Sequence, residues 1–191
     1  SKSALLRMAD EMSLTRNGSH AVRLIASVVK AGYARPGLVG RALVEAAVKI
    51  EGLAPIFPNF RPVLDLVAER MMAAARSGKS LELPPILLHG PPGVGKTFFI
   101  NALATALDVP VTRISLDTQT TGSTFLGQSR HWSDTEPGRV TRAVAESWSA
   151  NQVVLVDEID KGTRFTGHGH PADILHSILE PETAGRVTDI C

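Results

Sequence analysis

Residues 90–97 read Gly90-Pro91-Pro92-Gly93-Val94-Gly95-Lys96-Thr97 and fit the pattern G-x-x-x-x-G-K-[ST]. The short apolar run Pro85–His89 precedes them, and a helical pattern over Thr97–Leu107 follows them. Glycines allow successive backbone N–H groups to converge on one anion, and the first turn of a helix adds the positive end of its dipole. The stretch therefore predicts a phosphate-binding loop that joins a buried strand to a helix.

The side chains of this loop suit a nucleoside triphosphate that is bound together with Mg²⁺. Lys96 supplies a full positive charge for the β- and γ-phosphates, and the Thr97 hydroxyl is a candidate ligand of the metal. We expect the whole loop and the residue after it to contact the cofactor. The predicted cofactor-binding residues are Gly90, Pro91, Pro92, Gly93, Val94, Gly95, Lys96, Thr97 and Phe98.

A second candidate site follows the apolar run Val153–Val156, which is typical of a strand buried on both faces. Asp157 and Glu158 come directly after this run, and α/β folds place functional groups at the carboxyl ends of such strands. Asp157 is a candidate Mg²⁺ ligand, either directly or through a water molecule. Glu158 is the candidate catalytic residue, because its carboxylate can polarise a water for attack on the γ-phosphate.

The order of helical and strand patterns predicts an α/β fold. A second strand is predicted at Val109–Leu116, and helical periodicity covers Leu38–Ile50, Val63–Arg76, Val140–Trp148 and Pro171–Leu179. Strands that alternate with helices favour a parallel sheet with helices on its faces. The Pro-rich stretch Pro55–Phe60 cannot form a helix interior, and we interpret it as a linker that follows a helical N-terminal segment, residues 1–54.

Composition excludes several classes of protein. The 191 residues are 43% hydrophobic and 20% charged, which is ordinary for a globular domain. Cys191 is the one cysteine, so an internal disulfide and a cysteine zinc site are excluded, and a reducing, cytoplasmic location is expected. No uncharged apolar run approaches the ~18 residues of a membrane span. The net charge of +1 disfavours nucleic acid as a partner.

Two motifs together carry a resemblance to a known superfamily. Residues 153–161 read Val-Val-Leu-Val-Asp-Glu-Ile-Asp-Lys, and with the loop at 90–97 they resemble the Walker B and Walker A motifs of an AAA+ ATPase. Pro171–Glu182 is similar to the segment after Walker B in the ATPase module of Lon-type proteases, and Ile114–Leu116 and the pair Pro137-Gly138 lie where Lon-like sequences have comparable residues. The resemblance covers residues 55–191, which we predict as an AAA+ nucleotide-binding core.

The resemblance implies a P-loop NTPase sheet and an enzyme that hydrolyses ATP with the help of Mg²⁺. In such proteins hydrolysis is coupled to the remodelling or unfolding of a protein substrate by a homo-oligomeric ring, which is a hexamer in the family. Two alternatives stay open. One is a nucleotide-gated binding or scaffold module that does not hydrolyse ATP, and the other is an AAA+ motor that acts on nucleic acid.

The resemblance also implies an aromatic pore residue shortly before Pro137-Gly138 that grips the substrate. Trp132 occupies that place, although Ser133 and Asp134 replace the aliphatic residue and the glycine that follow it in the family. Phe125-Leu126-Gly127 keeps the aromatic-aliphatic-glycine order and is a competing candidate. A Trp132 that packs on its own domain is an equal alternative.

Other parts of the family's module are expected to follow Cys191, namely the sensor-1 strand, the arginine finger and the C-terminal lid. The sequence shows no Ser-Lys protease domain. We therefore expect an incomplete nucleotide core. An arginine supplied by a neighbouring subunit contributes a factor of about 10³–10⁵ to the rate in related P-loop enzymes. The 191-residue chain by itself is accordingly expected to bind ATP weakly and to hydrolyse it slowly.

Overall fold

The structure is a computed structural model that describes residues 37–116, 138–147, 149, 151–159, 175–176 and 178–180. Its elements are α1 (Arg41–Glu51), a 3₁₀ turn (Pro58–Phe60), α2 (Arg61–Ser77), α3 (Lys96–Leu107), β1 (Val111–Ser115), α4 (Arg139–Glu146) and β2 (Val153–Asp157). The chain divides into two compact units. The helical unit holds residues 37–111, 149 and 151–153, and the sheet unit holds the described residues of 112–147 and 154–180.

The helices of the helical unit follow the apolar periodicity of the sequence. The buried faces of α1 and α2 consist of residues three or four positions apart, namely Leu43, Ala46 and Ile50 in α1 and Leu64, Val67, Met71 and Ala74 in α2. Helix α2 ends before Gly78, whose φ of +65° is a left-handed conformation that favours glycine. The helices predicted at Leu38–Ile50 and Val63–Arg76 are thereby confirmed.

Helix α1 packs against both α2 and α3. Its buried residues belong to the same hydrophobic core as those of the two later helices. Within the described residues, α1 therefore shares one hydrophobic core with the helices that follow it. The boundary between a helical segment 1–54 and a nucleotide-binding core 55–191 stays a prediction.

Residues 55–60, predicted as a linker, form a packed corner between α1 and α2. Phe57 and Phe60 are buried. The Phe60 ring stacks on Phe99 of α3 with 4.3 Å between centroids and 5° between planes, and Phe57 meets the same ring edge-on at 5.4 Å. The prolines do interrupt the helix, but the aromatic rings bury enough apolar surface to hold the turn in the core. The linker interpretation is therefore wrong.

The apolar run Pro85–His89 does not form the buried strand that its composition predicts. Residues 85–89 are irregular, with Ile86 37% exposed and Leu87 80% exposed. A strand forms beside a partner that completes its backbone hydrogen bonds, and within the described residues the sheet consists of β1 and β2 alone. The loop at 90–97 therefore follows an irregular segment in this structure.

Asn151 ties three segments of the helical unit together. Its side-chain oxygen accepts the backbone N–H of Leu38 at 2.8 Å and the hydroxyl of Ser80 at 2.9 Å. Its amide nitrogen donates to the backbone carbonyl of Leu81 at 2.8 Å. One partly buried amide thus fixes the chain that leads into α1, the chain after α2 and the start of β2 against one another.

The sheet consists of two parallel strands in the described residues. At their start the Val153 N–H donates to the Pro110 carbonyl, and at their end the Leu116 N–H donates to the Asp157 carbonyl, each at 2.9 Å. Ile114 is fully buried and packs in a small core with Leu116 and Leu175. The strands predicted at 109–116 and 153–156 are confirmed, although β2 is half-buried along its whole length rather than buried on both faces.

Helix α4 begins after Gly138 and confirms the helix predicted at Val140–Trp148, although it ends at Glu146. Residues 175, 176, 178 and 179 are helical, within the helix predicted at 171–179. The helical patterns before residue 37 lie outside the described residues. None of the helices in the described part of the chain combines the length and apolar composition of a membrane span.

Candidate functional site

The predicted phosphate-binding loop is an exposed turn that leads directly into α3. Gly93 and Gly95 have φ angles of +84° and +87°, in the left-handed region that L side chains rarely adopt. A Cβ added at either position would meet no atom within 4 Å, so backbone conformation and not space requires glycine there. Such a turn can aim consecutive N–H groups at one anion.

Lys96 lies across this loop as the first residue of α3. Its Nζ donates hydrogen bonds to the carbonyl oxygens of Gly90 at 2.7 Å and Pro91 at 2.9 Å. The first hydrogen bond of the helix joins the Phe99 N–H to the Gly95 carbonyl at 2.8 Å. The backbone N–H groups before Phe99 belong to the first turn of the helix. Such groups have no acceptor within the helix, and they form the positive end of its dipole. The loop therefore combines a full charge with a set of backbone donors.

The next two side chains of α3 differ in burial. Thr97 is half-buried, while the Phe98 side chain is 68% exposed. The Phe98 ring lies 5.4 Å from the ring of buried Phe57, and the fully buried Phe99 contacts the same ring. The aromatic corner at 57–60 thus anchors the beginning of α3, and sequence reasoning missed this support because it weighed only the prolines of that stretch.

In the sheet unit, Asp157 ends β2 and has both carboxylate oxygens engaged. Its Oδ2 accepts a hydrogen bond from Arg113 Nη2 at 2.7 Å, and its Oδ1 accepts the backbone N–H of Glu158 at 2.9 Å. The Asp157 side chain is 29% exposed and the Arg113 side chain 59%. The carboxylate is therefore reachable from solvent and already balances one positive charge.

Glu158 follows in an uncommon backbone conformation. Its φ of +58° is left-handed, which is rare for a residue other than glycine, asparagine or aspartate. Its Oε2 accepts the hydroxyl of Ser115 at 3.2 Å. Backbone strain of this kind is concentrated at functional sites. The turn at Glu158 is therefore consistent with a residue whose side chain is placed for chemistry.

Sequence reasoning missed Arg113 and Ser115 as partners of the acidic pair, although a signal was available. Residues two apart on a strand point to the same face, so both residues lie on one face of β1. Neighbouring parallel strands also end at the same edge of a sheet. Among the described residues, no three His, Cys, Asp or Glu side chains lie together as a metal site. A divalent ion at Asp157 would therefore need ligands from the nucleotide and water, as Mg²⁺ commonly has.

The predicted site residues fall in two groups. The loop 90–98 lies in the helical unit, and Asp157 and Glu158 lie in the sheet unit. Trp132 and the competing triplet 125–127 lie outside the described residues.

Comparison with known proteins bears directly on these motifs. Residues 86–190, more than half of the chain, match the family described as "ATPase family associated with various cellular activities (AAA)". A protein of Caenorhabditis elegans named "Lon protease homolog, mitochondrial" is 32% identical over 127 residues, which are 66% of this chain and 13% of that protein. "Lon protease" of Campylobacter jejuni is 34% identical over 127 residues, 66% of this chain and 15% of that protein.

A third relative, "Lon protease" of Clostridioides difficile, is 38% identical over 122 residues, which are 62% of this chain and 15% of that protein. The chain thus spans a small part of the length of these relatives. Both candidate motifs lie inside the residues that the family matches. The chain belongs to the AAA family of ATPases and carries an AAA+ module like that of Lon protease.

Proposed function

We propose that this module binds Mg·ATP at the loop 90–97, hydrolyses it with Glu158, and couples hydrolysis to the remodelling or unfolding of a protein substrate. The observation that carries the proposal is the loop, where Gly93 and Gly95 take left-handed conformations and the Lys96 ammonium lies across the turn. The acidic pair at the end of β2 supplies the groups that hydrolysis requires beyond binding.

The loop residues would hold the phosphates. The first-turn amides and Lys96 are the donors, and a phosphate oxygen would replace the Gly90 and Pro91 carbonyls on Nζ because a charged acceptor forms the stronger hydrogen bond. Phe98, exposed and braced by Phe57, is proposed to contact the nucleotide beside the loop. The remaining loop residues act through their backbone.

The Thr97 hydroxyl and the Asp157 carboxylate would hold the Mg²⁺. Both are hard oxygen donors, and the Asp157 side chain is 29% exposed, so a cation can reach it from solvent. Bound Mg²⁺ neutralises negative charge on the phosphate oxygens. The Glu158 carboxylate accepts a proton from the attacking water as the water oxygen bonds to the γ-phosphorus. The bond from that phosphorus to the bridging oxygen breaks, and ADP and inorganic phosphate are released.

The substrate and the assembly are proposed from the relatives. Their name, "Lon protease", supports a protein as the substrate, because a protease acts on proteins. A homo-oligomeric ring of six subunits and a substrate-gripping role for Trp132 belong to the same proposal. A cytoplasmic location stays a prediction, since one of the relatives is named mitochondrial.

One observation favours a second candidate, a nucleotide-gated binding module that does not hydrolyse ATP. Arg113 engages Asp157, and Ser115 engages Glu158, so both acidic side chains have protein partners in this structure. If those contacts persist with nucleotide bound, the carboxylates are unavailable for metal and water.

A titration of substrate classes separates these functions. We expect phosphate release by the intact protein to rise severalfold when an unfolded polypeptide such as casein is added, and not when double-stranded DNA is added. The Glu158→Gln variant serves as the matched blank. ATP binding without turnover under any condition would instead support the gated module, and stimulation by DNA alone would support a motor on nucleic acid.

A further inference from the structure

The ion pair between Arg113 and Asp157 joins neighbouring strands at the carboxyl edge of the sheet. The guanidinium Nη2 lies 2.7 Å from Asp157 Oδ2, and the Glu158 N–H lies 2.9 Å from Oδ1. The two residues are 44 positions apart in the chain, so the contact depends on the pairing of β1 with β2. The pair therefore exists only when the sheet is formed.

The exposure of this pair argues against a mainly stabilising role. The Arg113 side chain is 59% exposed, and ion pairs in contact with solvent add little to the stability of a fold. The Arg113 charge acts mainly on Asp157, because a positive charge at hydrogen-bond distance lowers the electrostatic attraction of that carboxylate for any second cation. The carboxylate concerned is the one assigned to the metal.

We propose that Arg113 is a positioning residue that competes with the divalent metal for Asp157 Oδ2 and so sets the metal affinity of the site. This inference rests on the proposed function, which assigns Asp157 to Mg²⁺. A metal ion that binds this oxygen displaces the guanidinium, because the two positive charges repel each other at this distance. Arginine has a long side chain with several rotatable bonds, and its exposure here lets it leave without disturbing a core.

The competition gives Arg113 a defined effect in each state. Before metal arrives, the guanidinium neutralises Asp157 and holds its carboxylate toward β1. When metal arrives, Arg113 releases Oδ2, and its charge becomes available to an anionic group near the same edge. Metal binding and the Arg113–Asp157 contact are thus mutually exclusive.

The test uses Mn²⁺ in the presence of a saturating non-hydrolysable ATP analogue and follows the paramagnetic broadening of the Asp157 and Glu158 amide signals by NMR. Arg113→Met removes the charge and keeps an unbranched, exposed side chain. We expect it to tighten Mn²⁺ binding by about two- to fivefold, the range that corresponds to an exposed ion pair. Arg113→Lys keeps the charge and is expected to restore an affinity near that of the wild type.

A matched control comes from the helical unit. Arg61→Met removes an arginine whose pair with Asp65 has the same 2.7 Å length and a similar arginine exposure, 63%. It is expected to leave the Mn²⁺ affinity unchanged. Asp157→Asn is expected to abolish broadening at these amides, and far-UV circular dichroism establishes that each variant is folded.

The outcomes separate the inference from the proposed function. Suppose that Asp157→Asn removes the Mn²⁺ site. The competition is then overturned, and the metal assignment stands, if Arg113→Met leaves the Mn²⁺ affinity unchanged or lowers it. The same conclusion follows if Arg113→Lys tightens Mn²⁺ binding as much as Arg113→Met does. If Mn²⁺ does not broaden the Asp157 and Glu158 amides of the wild type, or broadens them equally in Asp157→Asn, the assignment of Asp157 to the metal is itself wrong.

Discussion

Lys96→Ala is expected to weaken ATP binding by about ten- to a hundredfold, measured by calorimetry or by the fluorescence of a labelled ATP analogue. The ammonium is the charged group that lies across the loop, within 2.9 Å of two of its carbonyl oxygens. A hydrogen bond between charged partners contributes about 1.5–3 kcal/mol, and each ~1.4 kcal/mol corresponds to a factor of ten in affinity. Alanine is a strong helix former, so α3 should persist in the variant.

Lys79→Ala is the matched control, because Lys79 is an exposed lysine of the same helical unit outside the loop. It is expected to bind ATP as the wild type does. An unchanged ATP affinity in a folded Lys96→Ala variant would contradict the assignment of residues 90–97 to the phosphates.

In the intact protein, Glu158→Gln is expected to reduce the rate of phosphate release by about 10²–10⁴-fold while ATP binding is kept, since this is the usual contribution of a general base. Glutamine is nearly isosteric with glutamate, and its side-chain oxygen can still accept the Ser115 hydroxyl bond seen in the structure. Its neutral amide cannot take a proton from water. Asp157 remains to hold the metal. Steady-state phosphate release and the amount of ATP retained on the variant are the two measurements.

Glu146→Gln, at an exposed position at the end of α4, makes the same chemical change away from the acidic pair. We expect it to hydrolyse ATP at the wild-type rate. Hydrolysis by Glu158→Gln at that same rate would remove Glu158 from the mechanism and favour another group as the base.

Local chemistry made the loop and its helix predictable. Residues 93 and 95 have left-handed backbone angles, in which residues other than glycine are strained. The glycines in the sequence therefore indicate this backbone conformation. The helices α1, α2 and α3 follow apolar periodicity, and the Asp157–Glu158 pair follows a run of four apolar residues. In each case the information lies within a few neighbouring residues of the chain.

Long-range pairing was the part that the sequence did not predict. Pro85–His89 has the composition of a buried strand, but a strand also needs a neighbouring strand for its backbone hydrogen bonds. The sequence pattern of one segment does not show whether such a neighbour is present. Phe57 and Phe60 depend on Phe99, some forty positions later, for their burial. Arg113 meets Asp157 only because β1 and β2 pair.

We propose that residues 90–97 and the acidic pair act on the same bound Mg·ATP. This proposal is tested most directly by titrating the ¹⁵N-labelled chain with Mg·ATP and following the backbone amide shifts. We predict that the amides of Gly93, Gly95 and Lys96 shift most, and that the Glu158 amide shifts with the same apparent Kd. If the loop amides stay unchanged while others shift, or if the loop amides and the Glu158 amide titrate with different Kd values, the two motifs do not act on the same nucleotide.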